Sequence, residues 1–179
     1  MKTTQILIAG FGGQGILFSG KFLAYKGLTE DLQVSWLPSY GPEMRGGTAN
    51  CNVILSDSPV GSPIITTPDV LIAMNLPSLQ KYVDTVAKGG QIYIDSSLID
   101  AKVERDDVEV FYIPATQMAK DEGIGTLANM IIVGHLLENH PELSFEGTDS
   151  VVEKLVPPKK AALKELNMKA LALGKDYKN

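Results

Sequence analysis

Gln5-Ile6-Leu7-Ile8-Ala9-Gly10-Phe11-Gly12-Gly13-Gln14-Gly15 is the stretch from which the fold is read. Gln5 to Ala9 is a short apolar run that ends in glycines, the pattern of a strand buried on both faces, as in a parallel sheet. Ile16, Leu17, Phe18, Leu23 and Ala24 follow at close to helical spacing. The spacing predicts a helix over Gln14 to Leu28, with Gly27 as its stop signal. A strand, a glycine turn and a helix in that order open an α/β unit.

Outward from this unit, Gln33 to Leu37 reads as a second strand that Pro38 ends by withdrawing a backbone donor. Ser39-Tyr40-Gly41-Pro42-Glu43-Met44-Arg45-Gly46-Gly47 is rich in glycine and reads as a loop. Thr48 to Leu55 alternates as a strand, with Cys51, Val53 and Leu55 on one face and Asn50, Asn52 and Ile54 on the other. A turn over Asp57 to Gly61 leads to an expected short strand near Ser62 to Thr66, closing a hairpin. Strand and helix then alternate: Val70 to Met74, the helix Pro77 to Ala87, and the strands Gln91 to Asp95 and Glu109 to Ile113. Thr126 to Glu138 is apolar nearly all round and reads as a buried helix. After Pro157-Pro158, Leu163, Leu166, Ala170 and Leu173 line one face of an amphipathic cap. The predicted architecture is a Rossmann-like three-layer α/β fold with a mostly parallel sheet and a β-hairpin interruption.

Composition fits a single folded unit: 179 residues, of which 44% are hydrophobic and 21% charged. Twenty-one acidic against sixteen basic residues give a net charge of -5, so neither nucleic acid nor an anionic membrane is an expected partner. Cys51 is the only cysteine. An internal disulfide, a four-cysteine zinc site and a cysteine-held iron–sulfur cluster are therefore excluded, and no metal site is expected. A reducing cytoplasmic compartment is the expected location. Ile6 to Gly20 could pass for a signal-peptide core behind Lys2, but its five glycines and Gln14 break the apolar run. No membrane insertion is expected.

Gly10, Gly12, Gly13, Gln14 and Gly15 satisfy the G-x-G-x-x-G pattern in its proper context, between a strand and a helix, and are the candidate cofactor-binding residues. The helix start behind them offers free N–H groups to an anion. A dinucleotide site also wants an acidic residue at the end of the second strand, where this sequence has Trp36-Leu37-Pro38-Ser39-Tyr40. Three readings remain: a nicotinamide site, glycines that only let the helix pack against the sheet, or a turn flattened against another chain or a cofactor held by that chain.

Ser39, Tyr40, Gly41, Pro42, Glu43, Arg45, Gly46 and Gly47 form the second candidate site, at the carboxyl end of a strand and so beside the glycine turn. Arg45 presents a charged planar fork suited to carboxylate or phosphate, and Tyr40 a stacking face with a polar tip. The alternative is a surface turn with a weak Glu43 to Arg45 contact. Asn50 and Asn52 could extend this polar surface. No catalytic residue emerges. His135 falls in the buried helix, His140 in a loop, Asp95-Ser96-Ser97 reads as a cap or turn, and Cys51 as an inert buried thiol.

Ile8-Ala9-Gly10-Phe11-Gly12-Gly13-Gln14-Gly15 and Trp36 through Cys51, with Pro68-Asp69-Val70-Leu71-Ile72-Ala73-Met74-Asn75 and Asn129-Met130 matching more loosely, resemble the gamma subunit of 2-oxoacid:ferredoxin oxidoreductases. The resemblance covers essentially the whole chain, as one gamma-type domain over residues 1–179. It implies a complex that decarboxylates a 2-oxoacid, reduces ferredoxin and forms an acyl-coenzyme A. It also implies alpha, beta and in some complexes delta companions. Thiamine diphosphate and iron–sulfur clusters would be held by those companions, and coenzyme A would be used in the assembled complex. The loop motif is similar to 2-oxoglutarate and branched-chain 2-oxoacid types. By the same resemblance Gly12 to Gly15 and Tyr40 to Gly47 face the shared site. A free-standing nicotinamide enzyme and a purely structural interaction subunit are the alternatives.

Overall fold

The computed structural model describes residues 2–39 and 48–178. Apolar runs of four to nine residues form the strands β1 (Thr3–Phe11), β2 (Gln33–Ser39), β3 (Thr48–Ser56), β4 (Val70–Ala73), β5 (Gln91–Asp95) and β6 (Glu109–Ile113). Helix α1 (Ile16–Thr29) follows β1, and α2 (Leu76–Tyr82) follows β4 and ends in a 3-10 turn, Val83–Thr85. After β6 come α3 (Ala115–Asp121), α4 (Ala128–Asn139), α5 (Thr148–Leu155) and α6 (Ala161–Asp176).

The strands lie in one sheet in the order β2-β3-β1-β4-β5-β6. β1, β4, β5 and β6 are parallel, while β3 runs antiparallel to both β1 and β2. The antiparallel interruption is therefore β2 with β3. Ser62 to Thr66, expected as the second strand of a hairpin, forms no strand. Its backbone instead meets β3 through a side chain, where Asn52 Nδ2 donates to the Pro63 carbonyl at 3.5 Å. Pro38 does not end β2: it pairs with Cys51, and the strand runs on to Ser39. β2 is an edge strand, where a missing N–H can face away from the ladder.

Alternation of side chains sorts the core into two layers. Ile6, Ile8, Cys51, Val53, Ile72 and Tyr93 face α1 and α4, meeting Phe22, Leu23, Ile131 and Leu136. Leu7, Leu71, Ile92 and Ile94 face the opposite side, meeting Leu79, Val86 and Ile99. At about 1.5–3 kcal/mol for each fully buried aliphatic side chain, these two layers dominate the stabilisation of the sheet.

Gly27 does not stop α1, which continues to Thr29; a Cβ there would press on Leu55 Cδ2 at 2.6 Å. Of the predicted apolar stripe of α6, Ala170 is buried and Leu166 and Leu173 pack partly buried against the core, while the most deeply set face also includes small and polar residues. The buried residues of the helix are Asn167, Ala170, Leu171 and Gly174, while Leu163 is exposed. The cause is the close crossing of α4 and α6, where Gly134 rests on the Leu171 carbonyl and Gly174 on that of Ile131. Small residues take the contact because larger ones would hold the two backbones apart. No helix among the described residues is long and apolar enough to cross a membrane.

Candidate functional site

β1 ends in the glycine turn beside the carboxyl end of β4, and the turn is held from inside by its own glutamine. Gln14 Oε1 accepts from the Phe11 N–H at 2.6 Å, and Gln14 Nε2 donates to the Met74 carbonyl at 3.0 Å. A Cβ on Gly10 would lie 2.6 Å from Gln14 Oε1 and 2.8 Å from Met74 Cβ, so the absent side chain is what admits the carboxamide. Gly15 begins α1 with φ 76°, in the left-handed region, and no side chain caps the helix.

The far side of Gly15 is closed by α4. Asn129 Nδ2 donates to the Gly15 carbonyl at 3.1 Å and to Ser19 Oγ at 2.9 Å, and the buried Asn129 Oδ1 has no protein partner. These contacts lock the starts of α1 and α4 together. Window-by-window reading of the sequence misses this role, because a pair 114 positions apart leaves no local pattern.

Outside the turn, Phe11, Gly12, Gly13, Ile16, Phe18 and Ala49 line a shallow depression of about 300 Å³. Phe11, Leu37, Leu76 and Leu98, all toward the carboxyl ends of β1, β2, β4 and β5, are among the large apolar residues left exposed. An apolar rim of this kind is a surface that a partner can cover.

Ser39 is exposed and pairs with Asn50, and Thr48 pairs with Phe11, so both ends of the second motif are anchored on this same rim. Tyr40, Gly41, Pro42, Glu43, Arg45, Gly46 and Gly47 lie outside the described residues. Asn50 points to the α2 side, with Nδ2 donating to Tyr82 Oη at 3.4 Å.

The other candidates are absorbed by the fold. Asp95 is fully buried at the end of β5; its Oδ1 accepts from the N–H groups of Ser97 and Thr116, and its Oδ2 from Thr116 Oγ1 at 2.5 Å. Ser97 Oγ accepts from the Gln117 N–H at 3.0 Å and so caps α3. His135 is buried, with Nδ1 3.0 Å from the Gly174 carbonyl and the ring edge-on to Phe111 and Tyr177. Burial holds its pKa below the usual histidine value. Cys51 is fully buried, 3.5 Å from the Ile16 carbonyl, and burial pushes its thiol up to about 12, too high for a nucleophile at neutral pH. Among the described residues no three His, Cys, Asp or Glu side chains converge as metal ligands.

Residues 5–177 match the family described as pyruvate ferredoxin/flavodoxin oxidoreductase. The 2-oxoglutarate synthase subunit KorC of Methanothermobacter thermautotrophicus is 34% identical, over 96% of this chain and 93% of its own length. The ketoisovalerate oxidoreductase subunit VorA of Methanothermobacter marburgensis is also 34% identical, over 98% of this chain, but the match spans only 37% of that longer protein. Among solved structures, the gamma subunit of a keto/oxoacid ferredoxin oxidoreductase from Geobacter sulfurreducens superposes with a TM-score of 0.80 at 29% identity, covering 96% of this chain and 95% of that one. A 2-oxoglutarate:ferredoxin oxidoreductase from Magnetococcus marinus, solved with 2-oxoglutarate, coenzyme A and succinyl-CoA bound, gives 0.87 at 26% identity, over 98% of this chain and 31% of that one. This chain belongs to the pyruvate ferredoxin/flavodoxin oxidoreductase family.

Proposed function

We propose that this chain is the gamma-type subunit of a 2-oxoacid:ferredoxin oxidoreductase and completes a site whose reactive groups are held by companion alpha and beta chains. The observation that carries the reading is the end-to-end match to KorC, a separate chain of similar span, at 34% identity over 93% of its length. Because the VorA match covers little more than a third of that protein, 2-oxoglutarate is favoured as substrate over a branched-chain 2-oxoacid.

In the reaction the 2-oxoacid loses carbon dioxide, its electrons pass to ferredoxin, and the acyl group is transferred to the sulfur of coenzyme A. Thiamine diphosphate, bound by the companions, supplies the decarboxylation chemistry. With Cys51 as its only cysteine, this chain cannot hold a cysteine-ligated iron–sulfur cluster by itself, so the electron path is assigned to the companions. A cytoplasmic, reducing compartment suits such a reaction.

The contribution of this chain is a wall. Gly12 and Gly13 carry no side chain, which lets a neighbouring chain or its cofactor approach the turn closely. The apolar rim of Phe11, Leu37, Leu76 and Leu98 is covered by the companion, which excludes water from the shared cleft. We assign the Tyr40 to Gly47 segment, whose flanking residues Ser39 and Thr48 lie on the rim, to the same cleft, with Arg45 as the residue to meet a carboxylate or phosphate.

The test is affinity purification of the tagged chain from its own host, followed by assay with 2-oxoglutarate, 3-methyl-2-oxobutanoate and pyruvate. Recovery of thiamine-binding companions and fastest coenzyme-A-dependent turnover with 2-oxoglutarate is the expected result. A chain that comes out alone overturns the reading, and preference for another 2-oxoacid overturns the substrate assignment.

A further inference from the structure

β1 is the strand at which the sheet order reverses. Its connection through α1 leads to β2 on one side, while the connection of its other neighbour, β4, leads through α2 to β5 on the opposite side. In open α/β sheets the crevice between two such strand ends is where ligands settle, with phosphates on the glycine turn. Here that crevice already has an occupant.

The Gln14 carboxamide spans it, from the Phe11 N–H at 2.6 Å to the Met74 carbonyl at 3.0 Å. Its oxygen would lie 2.6 Å from a Cβ on Gly10, so it rests on the face that the first glycine of the tight turn leaves bare, at the strand end over which a pyrophosphate would pass. Oε1 takes the N–H of Phe11, a donor that a phosphate in this crevice would meet. The strand end that should hold a ribose, Leu37-Pro38-Ser39, brings no carboxylate. The motif is therefore present while the space it normally creates is filled from within.

We infer that Gln14 is a specificity-determining residue: it closes the β1–β4 crevice to nucleoside diphosphates, so that this glycine turn takes no dinucleotide of its own. The inference stands on the geometry of this chain and does not depend on the reaction proposed above. It also separates the two faces of the turn. The crevice side is sealed by the carboxamide, while Gly12 and Gly13 on the outer side stay open.

The experiment is titration of the isotopically labelled full chain with ADP and with inorganic pyrophosphate, following the amide resonances of Phe11 to Ile16. The wild-type resonances should not move. Gln14→Ala should show saturable shifts there with affinity at least about tenfold above wild type, the scale of one charge-assisted hydrogen bond regained. Gln14→Glu, which refills the crevice with a negative group, should show none. Solvent exchange of the Gln14 side-chain amide in the wild type should be slowed about fivefold or more relative to an exposed glutamine, as one net hydrogen bond requires. Saturable shifts of the turn in the wild type, a folded Gln14→Ala chain with no gain, or unprotected exchange would each overturn the inference.

Discussion

Asn129 on α4 reaches the first residue before α1: its Nδ2 lies 3.1 Å from the Gly15 carbonyl and would lie 2.5 Å from a Cβ placed on Gly15. One contact thus fixes both the identity of residue 15 and the docking of the buried α4 against the glycine turn. Positive φ and the Asn129 contact act together there.

Gly15→Ala is expected to lose about 2–3 kcal/mol of stability, combining the cost of a left-handed alanine with the loss of buried hydrogen bonds. Asn129→Ala alone should lose about 1–3 kcal/mol. Because the two residues share one contact, the double variant should cost less than the sum of the single variants. Urea unfolding of the four proteins checks it, and strict additivity would contradict the shared contact.

Acid should weaken the α4–α6 pair before it titrates the carboxylates. The pKa of His135 is depressed by burial below its unfolded value of 6.5, so the unfolded chain binds more protons than the folded one below that pH. Stability is then full above 6.5 and falls as the pH drops through it, by at most about 1.4 kcal/mol per pH unit from this group. His140 is depressed in the same direction. Asp107, held low by Arg105, acts only in the lower carboxylate range. Melting curves from pH 7.5 to 5 should show the decline, and His135→Phe should reduce it, leaving the part that belongs to His140.

Cys51 should behave as a reporter of global unfolding. With the thiol pushed up to about 12 and the side chain fully buried, a thiol reagent at neutral pH should label it only through the unfolded state. Its labelling rate in the folded protein should rise in step with added urea. Rapid labelling of the native chain would show that the α1–β3 contact opens locally.

Arg45→Ala is expected to slow coenzyme-A-dependent turnover of the assembled complex by about tenfold or more, the scale of a lost charge-assisted contact. Assembly, judged by co-purification, should be unchanged. Unaltered kinetics in the intact complex would assign the segment a structural role only.

Much of this architecture can be read from periodicity. β1, β3, β5 and β6 announce themselves as apolar or alternating runs, and α4 as an apolar helix, because local pattern and final burial agree there. The misreadings share a cause in distant contacts. Gly27 and Pro38 are strong local stop signals, yet α1 and β2 run past them because one packs on Leu55 and the other sits at an edge. On α6 the stripe was legible at Leu166, Ala170 and Leu173, but not the part of Gly174, which the crossing with α4 selects over a larger residue. α3 and α5 were not legible, being helices of seven and eight residues with too few turns to show a period. At the site, the glycine spacing was plain, but nothing local told that the x before Gly15 would fold back to Met74.

Omission of this chain from a reconstituted complex is the measurement that bears most directly on its role. The companion subunits with thiamine diphosphate, 2-oxoglutarate, coenzyme A and oxidised ferredoxin should form acyl-coenzyme A at a substantial rate only when this chain is added, and the chain alone should form none. Full turnover without it, or any turnover of a 2-oxoacid by the chain alone, would contradict the account.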